Sequence, residues 1–445
     1  MKALTLLLFS LLPAVLYGQT VQNLTETAKP ADTLVESMGV NIHMTYGSTA
    51  YGNVPAVQRM LSTLGVRHVR DGGKYYPNDP AYNRSEFRLY GDVASLGINF
   101  DFILNFVDST DPNPMTLADM TALQTLAATN AVKIDSLEGP NEVDLSGDAN
   151  WIADTRDFMQ SAYSSNAEAT GSSKPLVIGP SLAGPSADWS LLGNLTAYEN
   201  AGNIHAYANT QYPSYNFGTD LAEEENVSGS QNIYVTEAGW SNGVNATDGS
   251  PNVTEDVAGR YMGRLFLETM LRGWQRTYVY ELVDEIPDPG MTNTQAHFGL
   301  FRKDYSPKPA AITIENMIAL MSDKGYAKLA TNTLSYSLSV PSPNVHHLLF
   351  QKHDGSYWLI LWQEVSDWSG WNGQGAPVTN PDVPVTLTLP TPAASIETYR
   401  PRDSVSVVQS ISGAQSITLM VPDHPLLVKF FLVAPPSDLR VTSIE

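Results

Sequence analysis

Two runs of the chain each lead to a glutamate: Leu137-Glu-Gly-Pro-Asn-Glu142 and Tyr234-Val-Thr-Glu-Ala-Gly-Trp240. Each continues a short apolar segment, Val132–Leu137 and Ile233–Thr236, of the kind that forms a parallel strand buried on both faces. Outward from these, six more segments read the same way: Gly39–Thr45, Val66–Arg70, Ile98–Phe106, Leu176–Pro180, Asn203–Tyr207 and Thr277–Leu282. Helical patterns lie between them. Val57, Met60, Leu61 and Leu64 follow the i, i+3, i+4, i+7 rule, and Gly65 stands where a C-terminal cap belongs. Leu89, Val93 and Leu96 repeat the pattern before Gly97. Met262, Leu265, Phe266 and Met270 form another apolar face, with Asn252 and Glu255 the expected caps.

Eight strands alternating with helices predict an α/β fold, a (β/α)8 barrel over residues 38–322. Alternation alone also fits a doubly wound open sheet. Beyond residue 322 the rhythm changes. Leu334–Val340, His346–Gln351, Tyr357–Trp362, Val383–Leu389, Ile396–Tyr399, Ser404–Ile411, Ile417–Val421 and Leu426–Leu432 follow one another without helices. Val385, Leu387 and Leu389 alternate with period two, and Asp354-Gly355 marks a hairpin. Residues 323–445 are therefore expected to form an antiparallel β-sandwich. The segment 19–37 precedes the first barrel strand and is expected to cross over to that sandwich. Residues 1–18 read as a secretory signal: Lys2 precedes the apolar run Leu6–Leu16, which is shorter than the roughly 20 residues a spanning helix needs. A secreted or periplasmic location follows as an expectation.

The chain has 445 residues, no cysteine and a formal net charge of −21. Disulfides, thiol nucleophiles and Cys-ligated metal are excluded. A field of this sign disfavours nucleic acid and anionic membranes, and favours a neutral partner. No H-E-x-x-H, G-x-S-x-G, Walker A or G-x-G-x-x-G motif occurs, so no cofactor or metal is expected.

In a (β/α)8 barrel the C-terminal ends of the strands form the active face, which brings Glu142 and Glu237 to one cleft. Two carboxyl groups facing each other are what glycosidic cleavage requires. One protonates the leaving oxygen, and the other attacks the anomeric carbon or activates water. Glu138, four residues before Glu142, reads as a partner that orients the site. The run Glu223–Glu225 reads as a solvated loop.

Asn141-Glu142 after the fourth strand and Glu237 after the seventh resemble the signature of glycoside hydrolase clan A, retaining enzymes on (β/α)8 barrels. The resemblance covers residues 38–320, and the attached sandwich is similar to families thirty-nine, thirty and seventy-nine. It implies Glu142 as acid/base, Glu237 as nucleophile and Asn141 as a ligand of the sugar 2-hydroxyl. It further implies Arg70 as the cation that keeps the nucleophile ionised. His205 and Tyr207 match the His-x-Tyr of strand six, and His43 a substrate-contacting histidine. Gly299–Pro309 matches the stretch entering the last barrel helix. The strand-eight region, Tyr278-Val-Tyr-Glu-Leu-Val-Asp284, lacks the tryptophan many members carry, and Glu281 and Asp284 are expected in place of that platform. Glu281 is read as a sugar ligand, with pairing to Arg276 as the alternative, and Trp240 as a stacking platform. Tyr46, Tyr51, Tyr75 and Tyr76 are candidates for the cleft lining, and the loop 365–382, with Trp368 and Trp371, for a distal contact. The expected activity is retaining hydrolysis of a β-linked neutral oligo- or polysaccharide by a monomer. Transglycosylation and a non-catalytic polysaccharide-binding barrel are the alternatives.

Overall fold

A computed structural model describes residues 20–73, 75–104, 115–169, 174–371 and 375–432. The expected signal segment, the end of the run Ile98–Phe106 and residues 433–445 lie outside the described residues.

The chain opens with two strands, β1 (Thr20–Thr27) and β2 (Lys29–Pro30). Eight parallel strands then close a barrel: β3 (Met38–Asn41), β4 (His68–Gly73), β5 (Asn99–Leu104), β6 (Lys133–Glu138), β7 (Leu176–Ile178), β8 (Ala201–His205), β9 (Asn232–Ala238) and β10 (Arg276–Val279). A helix follows each barrel strand: Val54–Leu64, Pro80–Ala94, Leu117–Thr129, Trp151–Glu168, Ala187–Leu192, Phe217–Ser228, Glu255–Leu271 and Pro309–Met321. Pairing of β10 with β3 completes the cylinder and rules out an open sheet. Gly65 ends its helix at φ 74°, a left-handed conformation that glycine adopts without steric cost.

Two local expectations need correction. Thr254, not Asn252, caps the helix Glu255–Leu271, its side chain accepting from Val257 N, while Asn252 bonds to Ser250 and Thr294. Residues Glu223–Glu225 lie inside the helix Phe217–Ser228, and Glu224 is buried against β8, where its carboxylate accepts from Asn203 N at 3.1 Å.

The C-terminal strands β11 (Thr333–Val340), β12 (Val345–Gln351), β13 (Tyr357–Gln363), β14 (Val383–Thr388), β15 (Ala393–Tyr399), β16 (Val407–Ser412), β17 (Ser416–Val421) and β18 (Leu426–Leu432) form two sheets. Their orders are β1-β11-β14-β17 and β16-β15-β18-β13-β12-β2. The N-terminal segment thus contributes an edge strand to each sheet. Leu338, Leu359, Leu361, Val385, Leu387 and Val428 fill the space between the sheets. On its other face, the larger sheet rests on the last two barrel helices. Arg264 is the anchor of this junction: fully buried, it donates to the Gln363 and Val365 carbonyls and to Asp367 at 2.6, 2.9 and 2.7 Å. Trp362 Nε1 donates to Glu268 at 2.7 Å beside it.

Candidate active site

Six strand ends supply the polar groups of one cleft, about 770 Å³ in volume. Its lining includes His43, Arg70, Asn141, Glu142, Tyr207, Glu237, Trp240 and Tyr280. Glu237 ends β9, and a register shift between Ile204 and His205 sets His205 opposite it on β8. Gly239 then lets the chain pass the neighbouring strand, since a Cβ there would lie 2.4 Å from the Tyr280 carbonyl oxygen.

Arg70 on β4 is the hub. Its Nη1 donates to Glu237 Oε1 at 2.6 Å and to Asn41 Oδ1 at 2.9 Å. Nε and Nη2 grip Glu138 in a two-pronged pair at 2.6 and 2.7 Å, and Nη2 also reaches Asn141 Oδ1 at 2.7 Å. Glu138 is wholly buried and accepts from Asn203 at 2.9 Å as well, so it holds the arginine and does not face the cleft. Such charge-assisted forks fix geometry as well as charge.

Burial by itself would raise the Glu237 carboxyl, but the charges of His205 and Arg70 and hydrogen bonds from Arg70 and Tyr207 overcome it and hold the group down at about 2. Tyr207 donates to Glu237 Oε2 at 2.8 Å. Glu142 sits apart from this cage, 30% exposed, with one oxygen 2.7 Å from His205 Nδ1. Its backbone is left-handed (φ 45°), a conformation costing about 1–3 kcal/mol in a non-glycine residue, and its N–H donates to Ser181 Oγ at 3.1 Å. For His205, burial disfavours the charged ring, yet Glu237 and Glu142 outweigh burial and lift its pKa above the ordinary value. Burial pushes His43 down to about 4, so its ring is neutral at neutral pH. It stacks on Tyr46 at 4.8 Å.

One oxygen of Glu142, one of Glu237 and a ring nitrogen of His205 all lie within 4.8 Å of one another. His43, Glu281 and Glu285 form a second group of that spacing. Both have the donor chemistry of a divalent-cation site, but in the first Arg70 and His205 already supply positive charge to Glu237.

The structure changes the reading of strand eight. Glu281 is wholly buried beneath the cleft, where Tyr51 Oη donates to it at 2.9 Å; it neither lines the cleft nor pairs with Arg276. Burial, then the charge of Glu285, drives its carboxyl well above the usual range. Asp284 is held by Lys308 Nζ at 2.8 Å. The aromatic surface at this strand end is Tyr280, edge-on to His43 and Phe298 at 5.5 Å each, and sequence reasoning missed it by looking for tryptophan. Trp240 is 4% exposed, packs on Tyr261 and contributes to the cleft lining. Among the four tyrosines, Tyr46 lines the cleft, Tyr51 lies under it, and Tyr75 and Tyr76 do not reach it. Trp368 is buried; Trp371 is exposed and meets Tyr215 at 5.8 Å, Thr210 donates to the Gly370 carbonyl, and neither tryptophan lines the cleft. Residues 372–374 of that loop lie outside the described residues.

Several solved glycoside hydrolases share this fold. Among solved structures, the family 39 glycoside hydrolase of Xanthomonas axonopodis pv. citri superposes with a TM-score of 0.59 at 14% identity, over 92% of this chain and 96% of its own. A glucosidase from Croceicoccus marinus gives 0.60 at 11% identity, over 92% and 97%. The catalytic domain of the family 30 xylanase C of Talaromyces cellulolyticus gives 0.55 at 12%, over 92% and 99%. At such identities the likeness is one of fold. No family model and no curated protein matches the sequence.

Proposed function

We propose that this chain is a secreted retaining glycosidase of clan A type, with Glu237 as nucleophile and Glu142 as acid/base. The observation that carries this reading is the pair of carboxylates itself. Their nearest oxygens lie within 4.8 Å, and one of the two groups is caged by a cation while the other is not. Retaining enzymes keep the two carboxyl groups about 5–5.5 Å apart, and inverting ones about 6.5–9.5 Å, because only the latter must admit a water between nucleophile and sugar.

In the first step a Glu237 oxygen attacks the anomeric carbon as that carbon's bond to the leaving oxygen breaks. Glu142 passes its proton to the leaving oxygen. In the second step water attacks the same carbon, its proton goes to Glu142, and the bond to Glu237 breaks. Asn141, tied to Arg70, is the ligand of the sugar 2-hydroxyl, and Tyr280 with Tyr46 offers aromatic faces to the ring. The substrate is a neutral β-linked glycan, in keeping with the net charge of −21. The glucosidase and xylanase of like fold put β-glucosides and β-xylosides first on a substrate panel. The caged nucleophile disfavours a purely binding barrel, which has no use for an ionised carboxylate held under an arginine. The enzyme acts as a monomer outside the cytoplasm, after removal of residues 1–18.

Proton NMR of the first product released from an aryl β-glycoside tests the reading. Retention of configuration is expected. Initial release of the opposite anomer, or no turnover across the panel, would overturn it.

A further inference from the structure

A second cavity, about 240 Å³, lies behind the proposed acid/base, outside the barrel wall. Glu142, His205 and Tyr207 line it on one side, as do Ala183 and Trp189 from the β7 loop. Asp220 and Glu223, from the helix after β8, line the other. Two of these residues carry a buried polar atom without a hydrogen-bond partner among the described residues: His205 Nε2 and Asp220 Oδ2. A buried polar atom left unpaired costs free energy, and a polar space of this size, with several donors and acceptors, suits a small group of ordered waters at about 30 Å³ each. Glu142 and Tyr207 line the substrate cleft as well, so such a water chain ends at the Glu142 carboxylate, whose other contact is His205 Nδ1 at 2.7 Å.

We infer that this cavity is a water entrance to Glu142, separate from the substrate cleft, which delivers the hydrolytic water while the leaving group still fills the main opening. The inference rests on the proposed retaining mechanism. In that mechanism the glycosyl-enzyme partitions between water and a sugar hydroxyl. Whichever oxygen reaches Glu142 first gives up its proton there and forms the new bond to the anomeric carbon as the bond to Glu237 breaks. A sugar acceptor comes through the cleft, by the opening the leaving group uses. Water has both routes. The cavity therefore biases the enzyme toward hydrolysis over transglycosylation.

The test plugs the cavity without touching the cleft. Ala183 is exposed at its mouth, so Ala183→Phe should fold. Asp220→Leu removes the polar lining by a different route and guards against misfolding of the first variant. With an aryl β-glycoside at high concentration serving as both donor and acceptor, aryl release reports formation of the glycosyl-enzyme, and the ratio of transfer product to free sugar reports its partition. The rate of aryl release at limiting substrate should be unchanged. The transfer ratio should rise on the order of threefold, as expected from losing one modest water-mediated hydrogen bond in the deglycosylation step. An unchanged ratio in both folded variants would overturn the inference and leave the proposed activity standing. A raised KM for disaccharides at an unchanged ratio would overturn it too, and would make the cavity a leaving-group subsite. Absence of turnover in the parent enzyme would instead strike the proposed function.

Discussion

Arg70 offers the most discriminating perturbation. The displacement of Glu237 from 4.5 to about 2 amounts to about 3 kcal/mol in favour of the ionised form, and Arg70 contributes to it both as a charge and as a donor at 2.6 Å. An opposite charge at this range depresses a carboxyl by about 1–3 pH units, so Arg70→Met should move the acid limb of the kcat/KM profile upward by about that much. The effect should fall on kcat more than on KM, since less ionised nucleophile is present at working pH. The same substitution strands Glu138, which is wholly buried, and should cost about 3–5 kcal/mol of stability. Arg70→Lys separates the two consequences: it retains the charge but cannot keep the two-pronged grip on Glu138, so it should hold the acid limb lower than Arg70→Met does. The assay is initial rates on an aryl β-glycoside from pH 3 to 8, with thermal unfolding as a control for folding. An acid limb that does not move in folded Arg70→Met, with only KM altered, would refute the assignment of Arg70 as the group that keeps Glu237 ionised.

Glu237→Ala should lose all turnover, whereas Glu142→Ala should still release a nitrophenolate once and then stall; azide should rescue the second with retained configuration, and swapped outcomes would swap the roles. Tyr207→Phe removes one hydrogen bond to an ionised group, worth about 1.5–3 kcal/mol, so kcat/KM should fall by roughly one to two orders of magnitude; a loss under about twofold would remove Tyr207 from the mechanism. Burial alone pushes Glu199 up to about 8, so the folded state keeps its proton after the unfolded chain has lost it, and stability falls as pH rises from about 4.5 to 8. Urea unfolding should show that Glu199→Gln flattens this decline by up to about 4–5 kcal/mol at pH 8; parallel pH curves for the two proteins would show that Glu199 is not the cause. Arg264→Met leaves Asp367 buried and unpaired by its strongest partner, so unfolding should become easier by about 3 kcal/mol or more while kcat stays within about twofold; an unchanged midpoint would deny Arg264 its role at the junction.

The barrel was legible because short, largely buried strand segments alternate with striped helices, so the period changes at each boundary. The two glutamates were legible because a strand end is the only place on this architecture where both meet. What stayed hidden depends on three-dimensional neighbours. Glu224 sits in an acidic run that looks solvated, and only the packing of its helix on β8 shows that it is buried. Glu281 and Tyr280 are adjacent in sequence, and nothing in their types says which one turns to the cleft and which goes beneath it. Trp240 has the chemistry of a platform, but it is 4% exposed and packs against Tyr261 from the helix after β9. The cavity behind Glu142 is built from residues of four separate segments, none of which forms a motif.

Strands β1 and β2 join the two sheets of the sandwich although they precede the barrel, β1 pairing along its whole length with β11 from Thr20–Val340 to Thr27–Thr333. Strands from before and after the barrel are thus stitched into one sandwich. A protease nick in the connection between Met321 and Thr333 would not release a free barrel, because the early strands would still hold the pieces together. Cloning the barrel alone would remove the partners of β1 and β2 and uncover the helix surface that carries Arg264. The sandwich is a clamp of which the first strands before the barrel are one jaw, and the molecule has no detachable half.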